Sequence, residues 1–205
     1  MEKKGLDTRT TILEAALQLF FTQGYKEVSY QDLITKTGLS KGAIYHHFKN
    51  KEEILVSVFE YFLASSQQPD QVNIQVELPG YQQFIELYIN IKKEQFEAFK
   101  KLLNTDNLKL NKLLFFLEAI NEKDALKQFI ADIMKQEQLF LETCFISLHK
   151  NGKLPKGKQP ELLARNLYFM LQGAEIMIFF GVNNIEEEVF LEAYTNTLKD
   201  FFAMI

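Results

Sequence analysis

The sequence is poor in the residues that build disulfide frameworks, metal centres and rigid loops. Its 205 residues include one cysteine, three histidines, four prolines and no tryptophan. The single cysteine, Cys144, excludes an internal disulfide and fits a reducing compartment. His46 and His47 are adjacent and point in different directions from a helix, and His149 and Cys144 do not share a helix face, so neither pair suits a metal. We therefore expect no metal site and no cofactor.

Long hydrophobic runs and catalytic motifs are also missing. The most apolar stretch, residues 167–181, contains Gln172 and Glu175 and is shorter than the about 20 residues that a membrane-spanning helix needs. The opening residues MEKKGLDTRTT are polar and lead into an amphipathic helix, so we expect no signal peptide and a cytoplasmic protein. No Gly-rich phosphate loop and no nucleophile elbow is present, and we expect no catalytic residues and no enzyme.

Helical periodicity runs through most of the chain, and no useful stretch shows the two-residue alternation of a half-buried strand. An apolar share of 47% is enough to build buried cores. The pattern therefore predicts an all-α protein with about nine helices. Asp7 or Thr8 is expected to cap the first helix, and Pro69 to follow the fourth. The predicted helices cover about residues 8–23, 29–37, 41–47, 51–68, 79–103, 106–120, 121–150, 160–181 and 185–204.

Two short helices and a tight turn lie within residues 28–51. Ser29 is suited to cap the first of these helices, and Gly38 supplies the left-handed residue that ends it. Ser40 caps the second, whose inward residues are Ile44 and Phe48. Short helices joined by a three- or four-residue turn containing glycine form a helix-turn-helix signature. In such a motif the second helix enters the major groove of DNA.

The polar residues of this motif favour contact with a nucleic acid. Lys41 and Lys51 each stand at the first position of a helix, where the helix dipole makes a cation unfavourable by about 0.3–1 kcal/mol. Phosphate is the expected partner that offsets this cost. Gly42 lets a groove wall approach the backbone closely, because it has no side chain. Tyr45 and His46 lie outward, where they can reach phosphate or a base edge.

Positive charge is concentrated at the N-terminal end. Residues 1–51 carry eight Lys and Arg against five Asp and Glu, whereas the rest of the chain carries fifteen against twenty-two. Nucleic-acid affinity is therefore expected in the first segment, and high affinity should need two such heads acting together. Arg9, near Lys3 and Lys4, is open to two interpretations: a solvated basic end, or an arm that touches phosphate or the minor groove.

Three stretches resemble the DNA-binding domain of the tetracycline-repressor (TetR) family of bacterial transcriptional regulators: TRTTILEAALQLFFTQGY, VSYQDLITKTGLSKGAIYHHF and NKEEIL. The resemblance implies a DNA-binding domain at residues 1–51, a linking helix at about 51–68, and an effector-binding and dimerisation domain at 52–205. Family members often carry threonine where this chain has Ala43, which leaves the operator sequence open. The implied DNA contacts are Ser29, Tyr30, Gln31, Ser40, Lys41, Gly42, Ala43, Tyr45, His46 and Lys51.

The helix LLARNLYFMLQGAEIMIFFG is apolar on nearly every side and so has to be covered all round. A two-fold dimer in which the last two helices of each chain form a four-helix bundle provides that cover, as the resemblance also implies. Two reading helices would then lie about 34 Å or a multiple apart, which predicts an inverted-repeat operator. The expected interface residues are Leu167, Met170, Gly173, Ala174, Met177, Tyr194, Leu198 and Phe201.

Sixteen of the nineteen phenylalanines follow residue 51. Core packing explains many of them, but some are expected to line a pocket for a hydrophobic or amphipathic effector, because small-molecule sites are mostly apolar with a few polar groups. The candidate pocket residues are Phe59, Phe62, Phe84, Tyr88, Phe96, Phe99, Phe115, Phe116, Phe129, Phe140 and Tyr168.

The leading hypothesis is a repressor that leaves its double-stranded DNA operator when a small molecule binds. The effector acts only through its different affinities for two states of the protein, typically a coupling of about 1–3 kcal/mol. Three alternatives remain open from the sequence. The chain could activate rather than repress, it could regulate through a protein partner while keeping a helical dimer, or it could be an enzyme that binds a small molecule.

Overall fold

The structure, a computed structural model, describes residues 2–66, 77–103, 121, 124–181 and 187–205. Within these ranges it contains helices and no strand, which confirms the predicted all-α class. The predicted helix at 106–120 lies outside the described residues. No described helix is both long and apolar enough to cross a bilayer. The helices are α1 (Glu2–Gln23), α2 (Tyr30–Thr37), α3 (Lys41–His47), α4 (Lys51–Ser66), α5 (Tyr81–Leu103), α6 (Asp124–Lys150), α7 (Pro160–Gly181) and α8 (Glu187–Met204).

The chain divides into two compact units. The first falls within residues 1–67 and 98–128, and the second within residues 68–97 and 129–205. Helix α1 packs against α2 and α4, so the linking helix belongs to the first unit together with the helix-turn-helix. The functional division at residue 51, between DNA binding and effector binding, stays a prediction.

Helix α1 has the predicted apolar stripe but begins earlier than predicted. Ile12, Leu17 and Phe20 are fully buried, and Gly24, at φ 91°, ends the helix. The expectation that Asp7 or Thr8 caps it was wrong, because α1 begins at Glu2. Residues 2–4 are Glu and Lys, residue types with high helix propensity, so the helix can extend to them.

Arg9 is exposed and also contacts two residues of the first unit, so both interpretations of it stay predictions. Its Nη2 donates to Ser57 Oγ at 3.0 Å, and its guanidinium lies 5.2 Å from the centroid of the Phe48 ring. Ser57 and Phe48 are both buried, so Arg9 joins α1 to α4 and to the residue that ends α3. The side chain therefore packs the first unit together. The side chains of Lys3 and Lys4 lie outside the described residues.

The second unit has an aromatic core to which α5, α6 and α8 contribute. The Phe145 ring lies 5.7 Å from Phe84 and 5.9 Å from Phe201, in edge-to-face contacts. The Phe96 and Phe190 rings lie 5.1 Å apart. Such pairs contribute about 0.5–1.5 kcal/mol each beyond the area they bury. Core packing therefore accounts for much of the aromatic content of this unit.

Four of the predicted interface residues require correction. Leu167, Tyr194, Leu198 and Phe201 are at most 4% exposed within a single chain, so they offer no surface to a partner. The reason is that α8 packs its apolar face against α7 and the aromatic core of its own chain. The other four face outward to different degrees: Met170 and Ala174 are half-buried, Gly173 is exposed and Met177 is 71% exposed.

Candidate functional site

The helix-turn-helix begins with a reciprocal cap on α2. Ser29 Oγ accepts from the Asp32 amide at 3.3 Å, while Asp32 Oδ2 accepts from the Ser29 amide at 2.7 Å and from its hydroxyl at 2.6 Å. These bonds lower the pKa of the Asp32 carboxyl from its usual value. The predicted capping role of Ser29 is confirmed. This pair of reciprocal bonds, a capping box, fixes the direction in which α2 leaves the preceding turn.

The turn between α2 and α3 also has its predicted chemistry. Gly38 adopts φ 69° and its amide donates to Ile34 O at 2.9 Å, which closes α2. Ser40 Oγ then accepts from the Ala43 amide at 3.2 Å and opens α3. Ile44 and Phe48 are at most 1% exposed. Because these two residues are held in the core, the opposite face of α3 points outward.

That outward face carries Lys41, Gly42, Tyr45 and His46, all of which are exposed. A Cβ atom added at Gly42 would meet only Ser40 Oγ, at 3.9 Å. Nothing described in the chain therefore requires glycine at this position, and its predicted role in a close approach to DNA stays a prediction. Ala43 is half-buried. The predicted contacts on α3 thus share one surface.

Tyr45 stacks on Tyr30 of α2. The two rings are stacked with centroids 4.8 Å apart and an interplanar angle of 16°. Lys41 Nζ lies 5.7 Å from the centroid of the Tyr45 ring. Tyr30 Oη is buried without a hydrogen-bond partner among the described residues, and burial raises the pKa of this phenol. The stack couples α2 to the outward face of α3, which periodicity alone did not indicate.

Lys51 is held within the chain. Its Nζ donates to Lys26 O at 3.1 Å and lies 4.5 Å from the centroid of the Tyr25 ring. The start of α4 is capped separately, by Asn50 Oδ1 accepting from the Glu53 amide at 2.8 Å. Lys51 therefore links α4 to the segment after α1. A phosphate contact from its ammonium must compete with these interactions.

A buried ion pair in the second unit was missed by sequence reasoning. Lys92 of α5 is 7% exposed, and its Nζ lies 2.7 Å from Glu137 Oε1 of α6. Tyr88 Oη donates to the same oxygen at 3.1 Å, and Gln172 Nε2 donates to Glu137 Oε2 at 3.0 Å. The available signal was spacing: Lys92 stands four residues from Tyr88 and four from Phe96, within the apolar stripe of α5.

A second carboxylate extends this group of side chains. Tyr194 Oη donates to Glu175 Oε2 at 2.8 Å. Lys92 Nζ lies 5.3 Å and 5.2 Å from the ring centroids of Tyr88 and Tyr194. The pKa of Lys92 is raised, because the charges of Glu137 and Glu175 outweigh a desolvation that acts to lower it. We call Tyr88, Lys92, Glu137, Gln172, Glu175 and Tyr194, together with Tyr168, the α5–α8 cluster.

Tyr168 is the unsatisfied member of the α5–α8 cluster. Its side chain is 6% exposed, and its hydroxyl has no hydrogen-bond partner among the described residues. Burial, followed by the charges of Glu137 and Glu175, raises the pKa of the Tyr168 phenol to about 12. An open groove of about 390 Å³ reaches this residue between α6 and α7. It is lined by Ala131, Met134, Lys135, Gln138, Tyr168, Phe169 and Gln172.

Few of the predicted pocket aromatics line this groove. Phe59 and Phe62 are buried in the first unit, where the Phe62 ring lies 5.6 Å from Phe21. In the second unit Phe84, Tyr88, Phe96 and Phe140 are buried core residues, and Tyr168 borders the groove. Phe115 and Phe116 lie outside the described residues, as do the side chains of Phe99 and Phe129.

No metal or thiol centre competes with these two sites in the part of the chain that the structure describes. Groups of three or more His, Cys, Asp or Glu side chains placed to hold a metal are absent from it. Burial raises the pKa of the Cys144 thiol to about 12, so it stays protonated and unreactive near neutral pH.

Comparison with known families matches the first unit. The family profile described as "Bacterial regulatory proteins, tetR family" matches residues 12–58, which include α2 and α3. The HTH-type transcriptional regulator YerO of Bacillus subtilis is 26% identical over 193 residues, or 89% of this chain. The match covers 60% of YerO, so this chain accounts for less than two thirds of that relative's length.

Comparison with solved structures covers the whole chain. A transcriptional regulator from Saccharomonospora viridis in complex with choline superposes with a TM-score of 0.69, at 16% identity over 96% of both chains. The protein of the SmeT–triclosan complex superposes with a TM-score of 0.61, at 20% identity over 97% of this chain and 91% of the other. At these identities the two structures show that the fold is shared.

Proposed function

Because the chain belongs to the TetR family of bacterial regulatory proteins, we propose that it is a transcriptional regulator that reads its operator with α3. The observation that carries this proposal is the division of α3 into two faces. Ile44 and Phe48 anchor one face in the core, and the other presents Lys41, Gly42 and Tyr45 together. A short helix that is anchored through one buried face can present its other face to a major groove.

The proposed contacts fall into two groups. Ser29, Gln31, Ser40 and Lys41 contact the phosphate backbone and set the register, as hydroxyl, amide and ammonium groups commonly do. Tyr30 acts through its ring, which stacks on Tyr45, because its hydroxyl is buried. Ala43, Tyr45 and His46 approach base edges across Gly42, and the Ala43 methyl suits a thymine methyl. The stacking of Tyr45 on Tyr30 limits the rotamers that Tyr45 can adopt, which lowers the entropy lost on binding. Lys51 is a secondary contact because it is already engaged with Lys26 and Tyr25.

The regulator acts as a two-fold homodimer through the outward stripe of α7. Phe169 is 63% exposed, Ile176 44% and Met177 71%, with the exposed Gly173 between them on the same helix. Exposed apolar surface of this kind marks interaction sites, and glycine allows a partner helix to approach closely. We retain Met170, Gly173, Ala174 and Met177 from the earlier set and add Phe169 and Ile176.

Dimerisation is tested by placing a charge in this stripe. Met177→Glu should lower the mass measured by light scattering from that of two chains to that of one. Leu139→Glu is the control, because Leu139 is also exposed but lies on α6. A dimer that survives Met177→Glu would remove α7 from the interface.

DNA recognition is tested by selecting bound fragments from random duplexes. We expect an inverted repeat whose half-sites lie about one turn of DNA, or a multiple of it, apart. Gel-shift assays with the selected duplex should then show loss of preference for Tyr45→Ala and intact preference for Lys199→Ala. Equal affinity for selected and random duplexes would rule the proposal out. A reporter measured with and without the chain distinguishes repression, which we propose, from activation.

Effector control belongs to the second unit. The structures of the Saccharomonospora viridis regulator in complex with choline and of the SmeT–triclosan complex support this part of the proposal. An effector releases DNA to the extent that it binds the DNA-free state more tightly, a coupling of about 1–3 kcal/mol in typical cases.

A further inference from the structure

The groove between α6 and α7 and the outward stripe of α7 share one edge of that helix. Phe169, Gln172 and Ile176 follow one another at intervals of three and four positions, so they stand along the same edge of α7. Phe169 and Gln172 line the groove. Phe169 and Ile176 are exposed members of the stripe, at 63% and 44%. The groove therefore continues the stripe towards α6.

The α6 wall of the groove adds apolar surface to that of the stripe. Met134 is 46% exposed, and Ala131, one turn before it, is exposed as well. Because the alanine is small, it leaves space beside Met134. Single exposed apolar side chains are ordinary, whereas apolar surface that is continuous across two helices is typical of interaction sites. Met134, Ala131 and Phe169 form such a surface.

The polar side chains of the groove favour an apolar occupant. Gln172 Nε2 donates to Glu137 Oε2 at 3.0 Å, and Gln138 Nε2 donates to Glu142 Oε1 at 2.9 Å, so both amides already act as donors within the chain. The hydroxyl of Tyr168 is buried and is not presented at the surface of the groove. Small-molecule sites use convergent polar groups to fix their ligand. This groove is better suited to an apolar side chain of a protein.

A helix that packs on the stripe also reaches over the groove. Packed helices lie about 8–10 Å apart, and a helix with its side chains is about 10–12 Å wide. A partner helix seated over Gly173 and Phe169 therefore extends beyond the edge of α7 and approaches Met134. Lys135, which also lines the groove, is exposed and can keep its ammonium in water, as polar residues at the rim of an interface do.

We propose that the groove between α6 and α7 belongs to the dimer interface and is covered by α7 of a second copy of this chain, which makes Met134 and Ala131 interface residues. The assignment deepens the proposed function and rests on its two-fold dimer. Because a two-fold interface uses the same surface on both chains, each α7 covers the groove of the other chain. An apolar side chain from the stripe of the second copy fills the space between Met134 and Phe169.

The first test compares two charged substitutions on α6 of the full chain. Met134→Glu and Leu139→Glu replace side chains of nearly equal exposure, 46% and 45%, and of these two positions Met134 lines the groove. Sedimentation should show that Met134→Glu raises the dimer dissociation constant about 10-fold or more, because a carboxylate would lose its water in the interface. Leu139→Glu should change it by less than about 2-fold. A dissociation constant for Met134→Glu equal to that of the parent chain would overturn the proposal.

The second test measures the cover directly by thiol labelling. A maleimide should alkylate Met134→Cys about 10-fold more slowly in the dimer than in a chain that also carries Met177→Glu, because the interface excludes the reagent. Leu139→Cys should react at the same rate in both backgrounds. Cys144 adds no background, since it is fully buried and burial raises the pKa of its thiol to about 12. Equal rates for Met134→Cys with and without Met177→Glu would contradict the assignment.

Light scattering of the parent chain keeps the two proposals apart. The mass of a single chain would reject the two-fold dimer of the proposed function. The mass of two chains, with Met134→Cys labelled as fast as Leu139→Cys, would keep that dimer and reject the groove as part of its interface. If the groove instead takes a small molecule or another protein, Met134→Glu will dimerise with the dissociation constant of the parent chain, which the first test detects.

Discussion

The two units of the chain handle charge in opposite ways. In the described part of the first unit, the buried polar side chain is Ser57, a neutral hydroxyl bonded to Arg9, whereas Lys36, Lys41 and Lys49 are exposed. In the second, Lys92 is buried and paired with Glu137. In the proposed function the first unit meets a duplex from outside, which suits charge on its exterior. An effector enclosed by the second unit would instead meet charge in its interior.

This contrast has consequences for what each charge contributes. Exposed ammonium groups are screened by salt and add little to folding, so their effects should be found in binding and its salt dependence. A buried ion pair adds little net stability, yet removing one partner leaves the other uncompensated. Substitutions of charged residues in the first unit should therefore change the affinity for DNA, whereas those in the α5–α8 cluster should change the free energy of unfolding.

The largest effect is expected from Glu137→Leu. This change leaves the Lys92 ammonium buried without its partner at 2.7 Å and removes the acceptor of Tyr88 and Gln172. Breaking a buried pair in this way typically costs about 3–5 kcal/mol. Urea denaturation followed by circular dichroism should show the loss as a lower midpoint.

The matched control is the double variant Lys92→Met with Glu137→Leu. It removes both charges and keeps their volume, so it should recover most of the lost stability. If the single Glu137→Leu variant unfolded at the same urea concentration as the parent chain, Lys92 would be solvated and the contrast between the units would fail.

An effect of intermediate size is expected from Lys41→Ala. We expect it to weaken binding to all duplexes by about 1 kcal/mol for each head near physiological salt and to reduce the salt slope by about 1 per head. Lys51→Ala should change the slope less and lower stability more, because Lys51 holds Lys26 O and Tyr25. The affinities of both variants for the same duplex, measured across a salt series, give the two slope changes to be compared. A larger slope change for Lys51 than for Lys41 would reverse our ranking of the two contacts.

Ser29→Ala tests the fold of the first unit apart from its charge. The substitution removes the acceptor of the Asp32 amide and a donor to its carboxylate, so the stability should fall by about 1 kcal/mol. Ser29→Thr keeps the hydroxyl and should lose less. Thermal denaturation of the two variants without DNA measures the cap, because any role of Ser29 in DNA contact is then absent. Equal melting temperatures of Ser29→Ala and the parent chain would show that the Ser29–Asp32 capping box is not needed for stability.

Local chemistry made most of the fold predictable. Ser29, Gly38 and Ser40 each act within four residues of their partners, so propensity and capping rules located α2 and α3. The same rules explain why α6 ends at Lys150, since Gly152, at φ 67°, follows shortly after it. Periodicity also predicted helix α7 with the bounds that the structure has, Pro160–Gly181.

Interactions between distant residues were not predictable in the same way. Arg9 donates to Ser57, which follows it by 48 positions, and Lys92 donates to Glu137, which follows it by 45 positions. Such separations carry no periodic signal. The apolar surface of α7 indicated that other helices must cover it. The sequence did not indicate which face of α7 is covered by α8 of the same chain. Assigning Leu167 and Tyr194 to a partner chain was the consequence.

The smallest effect is expected from acid, and it should arise in the first unit. Burial, followed by the charges of His46 and Arg9, lowers the pKa of His47 below its ordinary value of 6.5. The unfolded chain therefore takes up a proton at a higher pH than the folded one. The contribution of His47 to stability is constant well above about pH 6.5, declines as the pH falls from there towards the folded pKa, and levels off below it. His47→Gln should flatten this decline between pH 7.5 and 5.5 in denaturation series, whereas Lys92→Met should leave it in place. A decline of equal size in His47→Gln would assign the acid sensitivity to another group.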